Sequence, residues 1–482
     1  MMLNLILFFL KECMEILHVS AECYPYAKAG GLGDVVGALP KYQNRLGHIS
    51  KVVCPMYRTK FLYENDFQVV HQGAFGMGHY WFNYSVIKES TNRLGFDLYL
   101  VDIFNLLDRE KIYGYDDDPE RFTAFQIAVV DWISKWQNKP DVVHVHDHHA
   151  ALIPFMMQNC SGYRHLASLR TVLTIHNAEY QGWMEWSKSY YLPDWDRWKW
   201  GLLDWNKNLN PLAAGIKCAT RITTVSPGYL KELRLDANGL EKLFEYEKGK
   251  CVGILNGIDE EIWNPATDPY IENEYSIEDS ATGKASNKKL LCEQFGLDAK
   301  KPLFVFIGRL VGEKAADLLP TAISDALTYI NGEMNFLVLG SGDPGIELQL
   351  EQLKGRYMGY YNSQIAYNEK LAHQMYAGAD LLLMPSRVEP CGLNQMYAMR
   401  YGTIPVVRRT GGLNDTVKDI GEDGGYGICF NQATVGDITN AIYRGVQLFK
   451  QKKRAADLVE TVMQIDFSWE NSAGKYIDVY TS

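Results

Sequence analysis

The feature that most constrains this chain is an alternation sustained from near its start to near its end. Short apolar, β-branched runs are separated by longer stretches with helical periodicity. Runs such as Lys51-Val52-Val53-Cys54, Asp141-Val142-Val143-His144-Val145 and Thr171-Val172-Leu173-Thr174-Ile175 read as strands buried on both faces. Parallel strands need a long crossover, usually helical, so the alternation predicts βαβ units. A second series, Pro302–Ile307, Asn335–Leu339, Asp380–Met384 and Ile404–Val407, predicts a second sheet. The chain has 482 residues, more than one hydrophobic core usually supports. The expectation is an α/β protein with two doubly wound domains.

The division is expected near residue 250, between the helical stretch Tyr229–Lys250 and the strand-turn Cys251–Gly257. This gives a first domain over 14–250 and a second over 251–465. In the closing segment 466–482, Trp469, Ala473, Tyr476 and Tyr480 recur at helical spacing and form an apolar face that must pack on something. A polar stretch from Asn273 to Lys289 reads as a surface loop leading into a helix. At the other end, the apolar run Leu3–Leu10 is too short to span a bilayer and lacks the basic start of a secretory signal. Because Met14 opens the first convincing strand, residues 1–13 are expected to be an upstream extension.

Charge excludes some partners. The net charge of −10 argues against nucleic acid and anionic membrane, which attract an excess of Lys and Arg. An anionic small ligand would instead need a local basic cluster. Nine cysteines are scattered without CxxC pairing, the pattern of reduced thiols in a cytoplasmic protein. Oligomeric state leaves no mark in the sequence.

Ligands of α/β sheets gather outside the carboxyl ends of the strands, so the loops there carry the functional reading. The first loop, after Ile16–Ser20, contains Lys28-Ala29-Gly30-Gly31-Leu32-Gly33 ahead of a helical pattern. It reads either as a flexible turn or as a phosphate cradle in which glycines admit the ligand and a helix N-terminus supplies N–H donors. The second carries Arg309 and Lys314 after the strand ending at Ile307, two cations placed to reach one diphosphate or to remain solvated. In the third, a buried strand delivers Glu389-Pro390-Cys391-Gly392-Leu393. The backbone N–H groups at Cys391, Gly392 and Leu393 are expected to open a helix and face an anion, with the carboxylate beside them.

The fourth loop is His144-Val145-His146-Asp147-His148-His149. A metal centre on His144, His146 and His149 is one reading. The binuclear hydrolase pattern H-x-H-x-D-H would place Asp where His148 stands, so polar contacts to a sugar are the other. His176 ends the next strand and would line the same region.

Together and in this order these elements resemble the bacterial glycogen and plant starch synthase family. The resemblance covers nearly the whole chain from Met14 and rests on KAGGLGDVVGALP (28–40), DVVHVHDHHAAL (141–152), TIHNAEYQG (174–182), TTVSPGY (223–229), NGIDEEIWNPATD (256–268), GRLVGEKAADLL (308–319), the stretch Tyr367–Gln395 and YGTIPVVRRTGGLNDTV (401–417). It implies a GT-B fold: two Rossmann-like domains facing across a cleft, the acceptor-binding one first and the nucleotide-sugar-binding one second. The C-terminal helix would cross back to the first domain. The implied reaction moves glucose from ADP-glucose to the non-reducing end of an α-1,4-glucan such as glycogen, with retention, and without a metal or other cofactor. UDP-glucose is the alternative donor, and another retaining GT-B glycosyltransferase the alternative class.

By the same resemblance, Lys28 and Gly31 contact donor phosphates, Arg309 and Lys314 neutralise the departing diphosphate, and Tyr367 stacks on adenine. Glu389 is the catalytic carboxylate, and Asp147 and His176 lie by the glucosyl unit. Many other retaining GT-B enzymes carry a second Glu eight positions after the first; here Tyr397 stands there, which favours this branch. There are departures: Asn210-Pro211-Leu212-Ala213-Ala214-Gly215 lacks an expected lysine, Lys314 is followed by Ala315 rather than Gly, and His148 replaces a common Trp. The aromatic segment 183–205 reads as either core or a glucan-facing surface.

Overall fold

The computed structural model describes residues 13–482, so all but the last residue of the expected extension 1–13 lies outside the described residues. The strands, in chain order, are β1 Glu15–Val19, β2 Ile49–Pro55, β3 Phe67–Met77, β4 Tyr80–Glu89, β5 Asp97–Asp102, β6 Val142–His146, β7 Arg170–Ile175, β8 Asp204–Trp205, β9 Asn208–Leu209, β10 Arg221–Thr224, β11 Cys251–Gly253, β12 Leu303–Ile307, β13 Asn335–Gly340, β14 Tyr361–Ile365, β15 Leu381–Met384, β16 Ile404–Arg408 and β17 Ile428–Phe430. The expected apolar runs all become strands, shifted by a residue or two at their ends. Their side chains are almost entirely buried, as in Val172, Leu173, Val305 and Leu382 at 0% exposure.

The chain divides into two compact units. Among the described residues the first comprises 13–225, 230–257 and 469–482, and the second 226–229 and 258–468. The division therefore falls after Gly257, later than the expected residue 250. The cause is β11, which pairs in parallel with β10 (Ile222 opposite Cys251) and so belongs to the first sheet. The expected continuous helix over 229–250 is broken as well. Helices Pro227–Leu233 and Glu241–Tyr246 are separated by Asn238 (φ 51°) and Gly239 (φ 90°), a left-handed pair that ends helical hydrogen bonding.

In the first unit the sheet order is β11-β10-β7-β6-β1-β2-β5-β4-β3. All pairings from β11 to β5 are parallel, whereas β3 and β4 form a long antiparallel hairpin at the edge. The sheet is thus mixed rather than wholly parallel. The C-terminal helix Trp469–Thr481 packs on this unit. Trp469, Ala473, Tyr476 and Tyr480 join one core with Ile16, Val35, Leu39, Val142 and Val172, which is what the apolar face at the end of the chain packs on. The second unit has one parallel sheet, ordered β14-β13-β12-β15-β16-β17, around a core that includes Phe304, Phe336, Leu383 and Val406.

Both orders contain a switch point, where the chain reverses the direction in which it adds strands. In the first unit it lies between β1 and β6, and in the second between β12 and β15. Crevices for ligands open at the carboxyl ends of such strands. The four loops singled out in the sequence follow β1, β6, β12 and β15.

The aromatic segment 183–205 divides between core and surface. It forms two short 3-10 turns, Trp186–Tyr191 and Arg197–Leu202. Trp195 is buried, while Trp183, Trp198 and Trp200 are exposed. Among the described residues no helix is long and apolar enough to cross a membrane.

Candidate active site

In the first unit, the glycine loop leads into the helix Gly31–Arg45, with Gly30 as its N-terminal cap residue. A side chain added at Gly30 or Gly31 would meet nothing within 4 Å, so the space over the loop is open. The N–H groups just ahead of the helix are occupied from within. Glu22 Oε2 accepts from Ala29 N at 2.6 Å and Gly30 N at 2.9 Å, and Tyr113 OH donates to Glu22 Oε1 at 2.8 Å. Glu22 is only 3% exposed, so a buried carboxyl group already occupies donors of this loop. Lys28 pairs with Asp34 at 2.7 Å. Neither Glu22 nor Tyr113 was singled out in the sequence. A carboxylate at a strand end beside a glycine loop is a usable signal for Glu22, but Tyr113 lies ninety-one residues away and only the fold brings it in.

Asp147 follows β6 with a left-handed backbone (φ 54°), a conformation that Asp and Asn tolerate better than most residues. Its Oδ1 accepts from the backbone N–H of His176 at 2.7 Å, which ties the ends of β6 and β7 together. Burial pushes its carboxyl up to about 7, against the lowering effect of two backbone N–H donors. His176 is pushed down to about 3 by burial and is neutral at physiological pH.

The histidines of the fourth loop separate. His144 and His146 alternate along β6 into the core, where they meet His18 of β1. His149 instead stacks on Tyr113 and meets Phe122 edge to face. The alternative metal set of His144, His146 and His149 therefore does not converge. Among the described residues the set that does converge is His18, His144 and His146, with ligand atoms within 4.8 Å of one another. Asn210, in the departing motif, caps the helix Pro211–Cys218 by accepting from Ala213 N at 2.9 Å.

In the second unit the loops after β12, β15 and β16 are knitted together. Lys314 Nζ donates to Glu389 Oε2 at 2.5 Å and Ser386 Oγ to the same oxygen at 2.9 Å. Glu389 is 6% exposed, and among the described residues its second oxygen, Oε1, has no hydrogen-bond partner. The loop backbone is held by Arg408, which donates to the carbonyls of Ser386 and Arg387. Arg387 N–H donates to Glu313 O at 2.7 Å, and Gly412 N–H to Glu389 O at 3.1 Å. Gly412 has to be glycine, since a Cβ there would lie 2.1 Å from Cys391 O.

One expectation needs adjustment here. The helix after Glu389 starts only at Asn394 and spans seven residues. Cys391, Gly392 (φ 73°) and Leu393 thus form a turn ahead of it, pinned by Gln395 Nε2 donating to the carbonyls of Cys391 and Gly392. The cause is the left-handed Gly392, which no helix can include. Arg309 does not join Lys314; it is 60% exposed and pairs with Glu313 at 3.0 Å. Tyr367, just after β14, is 78% exposed. Tyr397 is buried against Trp263, ring centroids 3.8 Å apart, and so fills core rather than facing a ligand.

This arrangement suits chemistry in which negative charge develops on a departing group beside a carboxylate-steadied lysine. The comparisons with known proteins agree. A family model described as starch synthase catalytic domain matches residues 15–246, and one described as glycosyl transferases group 1 matches 287–461. The glycogen synthase of Flavobacterium johnsoniae is 56% identical over 467 residues, covering 97% of this chain and 98% of that protein. The glycogen synthase of Streptococcus gordonii is 38% identical, covering 97% and 100%. The solved catalytic domain of starch synthase IV from Arabidopsis thaliana, bound to ADP and acarbose, superposes with a TM-score of 0.88 at 32% identity, covering 98% of this chain and 99% of that one. A sucrose-phosphate synthase from Thermosynechococcus elongatus, at 16% identity and a TM-score of 0.62, shares the fold.

Proposed function

The chain belongs to the glycogen and starch synthase family of GT-B glycosyltransferases, and from that premise we propose that it transfers glucose from ADP-glucose to the non-reducing end of an α-1,4-glucan with retention of configuration. The observation that carries the reading is the state of Glu389. One carboxylate oxygen holds Lys314 and Ser386, and the other is left for a ligand hydroxyl. That the starch synthase IV structure holds ADP supports an adenosine diphosphate leaving group here.

In the proposed reaction the acceptor hydroxyl oxygen bonds to the anomeric carbon as the carbon–oxygen bond to the diphosphate breaks on the same face. The hydroxyl proton passes to a phosphate oxygen of the leaving group. Lys314 and Arg309 stabilise the charge left on the diphosphate, a contribution made mainly in the transition state. Lys28, Gly30 and Gly31 contact the donor phosphates, with the Cys391-Gly392-Leu393 turn. Tyr367 stacks on the adenine, and Asp147 and His176 orient the glucosyl unit. Arg309 would exchange its exposed pairing with Glu313 for phosphate, at little cost because surface pairs contribute about 0–1 kcal/mol. The nine cysteines, all unpaired, fit a reducing cytoplasm.

Initial rates of incorporation of labelled glucose into glycogen, with ADP-glucose and UDP-glucose compared at equal concentration, test the reading. A higher kcat/KM for ADP-glucose is expected. Equal or better use of UDP-glucose would reassign the donor, and no incorporation from either would overturn the function. Exhaustive dialysis against a chelator is expected to leave the rate unchanged; loss restored by a divalent cation would contradict a metal-free reaction.

A further inference from the structure

Behind the loop that carries His176 runs a chain of buried imidazoles that the proposed reaction does not use directly. His18, His144 and His146 are completely buried, and their spacing would admit a cation. Their ring nitrogens are already taken. His18 Nε2 lies 2.8 Å from Gln43 Oε1, and His18 Nδ1 lies 3.0 Å from His146 Nε2. His146 Nδ1 lies 3.0 Å from His176 Nε2. His144 Nδ1 meets Tyr480 OH, and its Nε2 meets Thr174 Oγ1, both at 2.6 Å. A metal would need lone pairs that these hydrogen bonds use.

The direction of the bonds follows from one end. Gln43 Oε1 accepts from Ser50 Oγ at 2.6 Å, while its Nε2 donates to Tyr480 OH at 3.0 Å. A carbonyl oxygen facing His18 obliges His18 Nε2 to carry the proton. A neutral imidazole has one N–H, so His18 Nδ1 is bare and accepts from His146 Nε2–H. By the same step His146 Nδ1 accepts from His176 Nε2–H. His176 is left with a bare Nδ1, which has no hydrogen-bond partner among the described residues.

We propose that Gln43, His18 and His146 are positioning residues that fix His176 as its Nε2–H tautomer, so that Nδ1 meets the glucosyl unit only as an acceptor for a sugar hydroxyl. The proposal rests on the reading that His176 contacts the donor sugar. Burial keeps the relay neutral, with His18 pushed down to about 4 and His146 well below its ordinary value. Because each ring donates to one neighbour and accepts from the next, no ring can change tautomer unless the whole row and the Gln43 amide reverse together. The second proton-bearing state of His176 is thereby removed from the site, and with it the possibility of His176 donating to the sugar through Nδ1.

The test is a long-range ¹H–¹⁵N correlation spectrum of the full chain labelled at histidine nitrogens. His18, His146 and His176 are all expected as Nε2–H tautomers at neutral pH. An Nδ1–H tautomer, an imidazolium or a mixture at any of the three overturns the relay. His146→Gln, whose amide keeps one donor and one acceptor, is expected to retain kcat/KM for ADP-glucose within about three-fold. His146→Leu should lose about ten-fold or more, the equivalent of roughly one hydrogen bond of 1.4 kcal/mol, and leave His176 in mixed tautomers. An unchanged tautomer and rate in the leucine variant would contradict the proposal, and the wild-type spectrum decides the matter even if that variant does not fold. His176→Ala turning over at the wild-type rate would instead overturn the sugar contact on which the proposal rests. The two failures are distinct because the tautomers are read without turnover.

Discussion

Ala315 shows how a single departure in sequence acquires a physical meaning. It directly follows Lys314 and adopts φ 51°, ψ 32°, a left-handed conformation costing a non-glycine residue about 1–2 kcal/mol. Glycine would relieve that strain but lose the packing of a fully buried methyl group and add about 0.5–1 kcal/mol of unfolded-chain entropy. Ala315→Gly is therefore expected to change unfolding free energy by less than about 1 kcal/mol, whereas Ala316→Gly, with no strain to relieve, should destabilise by at least that much in denaturant titrations. Asp147 gives a second test. Its carboxyl is ordinarily near 3.8 when unfolded and about 7 when folded, so the folded state binds more protons between those values, and stability falls as pH rises through that window. Asp147→Asn keeps an acceptor for the two N–H groups and tolerates the left-handed backbone. Its unfolding free energy in denaturant titrations should match the wild type near pH 3.5 and exceed it at pH 8, by a margin that grows at up to about 1.4 kcal/mol per pH unit. A margin that shrinks with rising pH would contradict the assignment. Arg309, Lys314, Glu389, Asp147 and His176 were open to a sequence reading because each lies in a loop that leaves the carboxyl end of an apolar strand. Glu22 with Tyr113 was not, since their contact depends on a fold-level approach.

At the scale of elements, buried parallel strands are easy to find because both faces are apolar and the run is uninterrupted. The β3–β4 hairpin is harder. Val69, Val70, Tyr80 and Trp81 are exposed, so the usual inward–outward alternation is blurred, and the edge position removes any need for it. The helix start after Glu389 was misplaced for a different reason: one left-handed glycine decides it, and glycine carries no mark of its φ. The C-terminal helix was legible from the three- and four-residue spacing of its apolar positions. Its Tyr480 hydroxyl accepts from Gln43 Nε2 and faces His144 Nδ1 at 2.6 Å, so Tyr480→Phe removes the partner of both of those nitrogens. A loss of about 1–3 kcal/mol is expected, measurable by urea unfolding; no change would mean that the hydroxyl is dispensable to this core.

For the whole molecule, the first unit is assembled from three stretches of chain, the last of which is the C-terminal helix. A chain ending at residue 468 would expose the face formed by Ile16, Val35, Leu39, Val142 and Val172. Such a truncation should express as insoluble or inactive protein rather than as a working enzyme with a shorter tail. Two-unit organisation was legible from length and from the two series of strands. The boundary was not, because β11 looks like the opening of a new domain until its pairing with β10 is known. The central claim is that Lys314 and Glu389 act together on the departing diphosphate. It is tested most directly by the turnover number for glucose transfer from ADP-glucose to glycogen in Lys314→Ala, Glu389→Ala and the double variant. Each single change is expected to lower kcat by roughly two to three orders of magnitude, with the double variant falling far short of their product because the two side chains form one unit. Near-wild-type turnover in both single variants, with folded protein, would contradict the account.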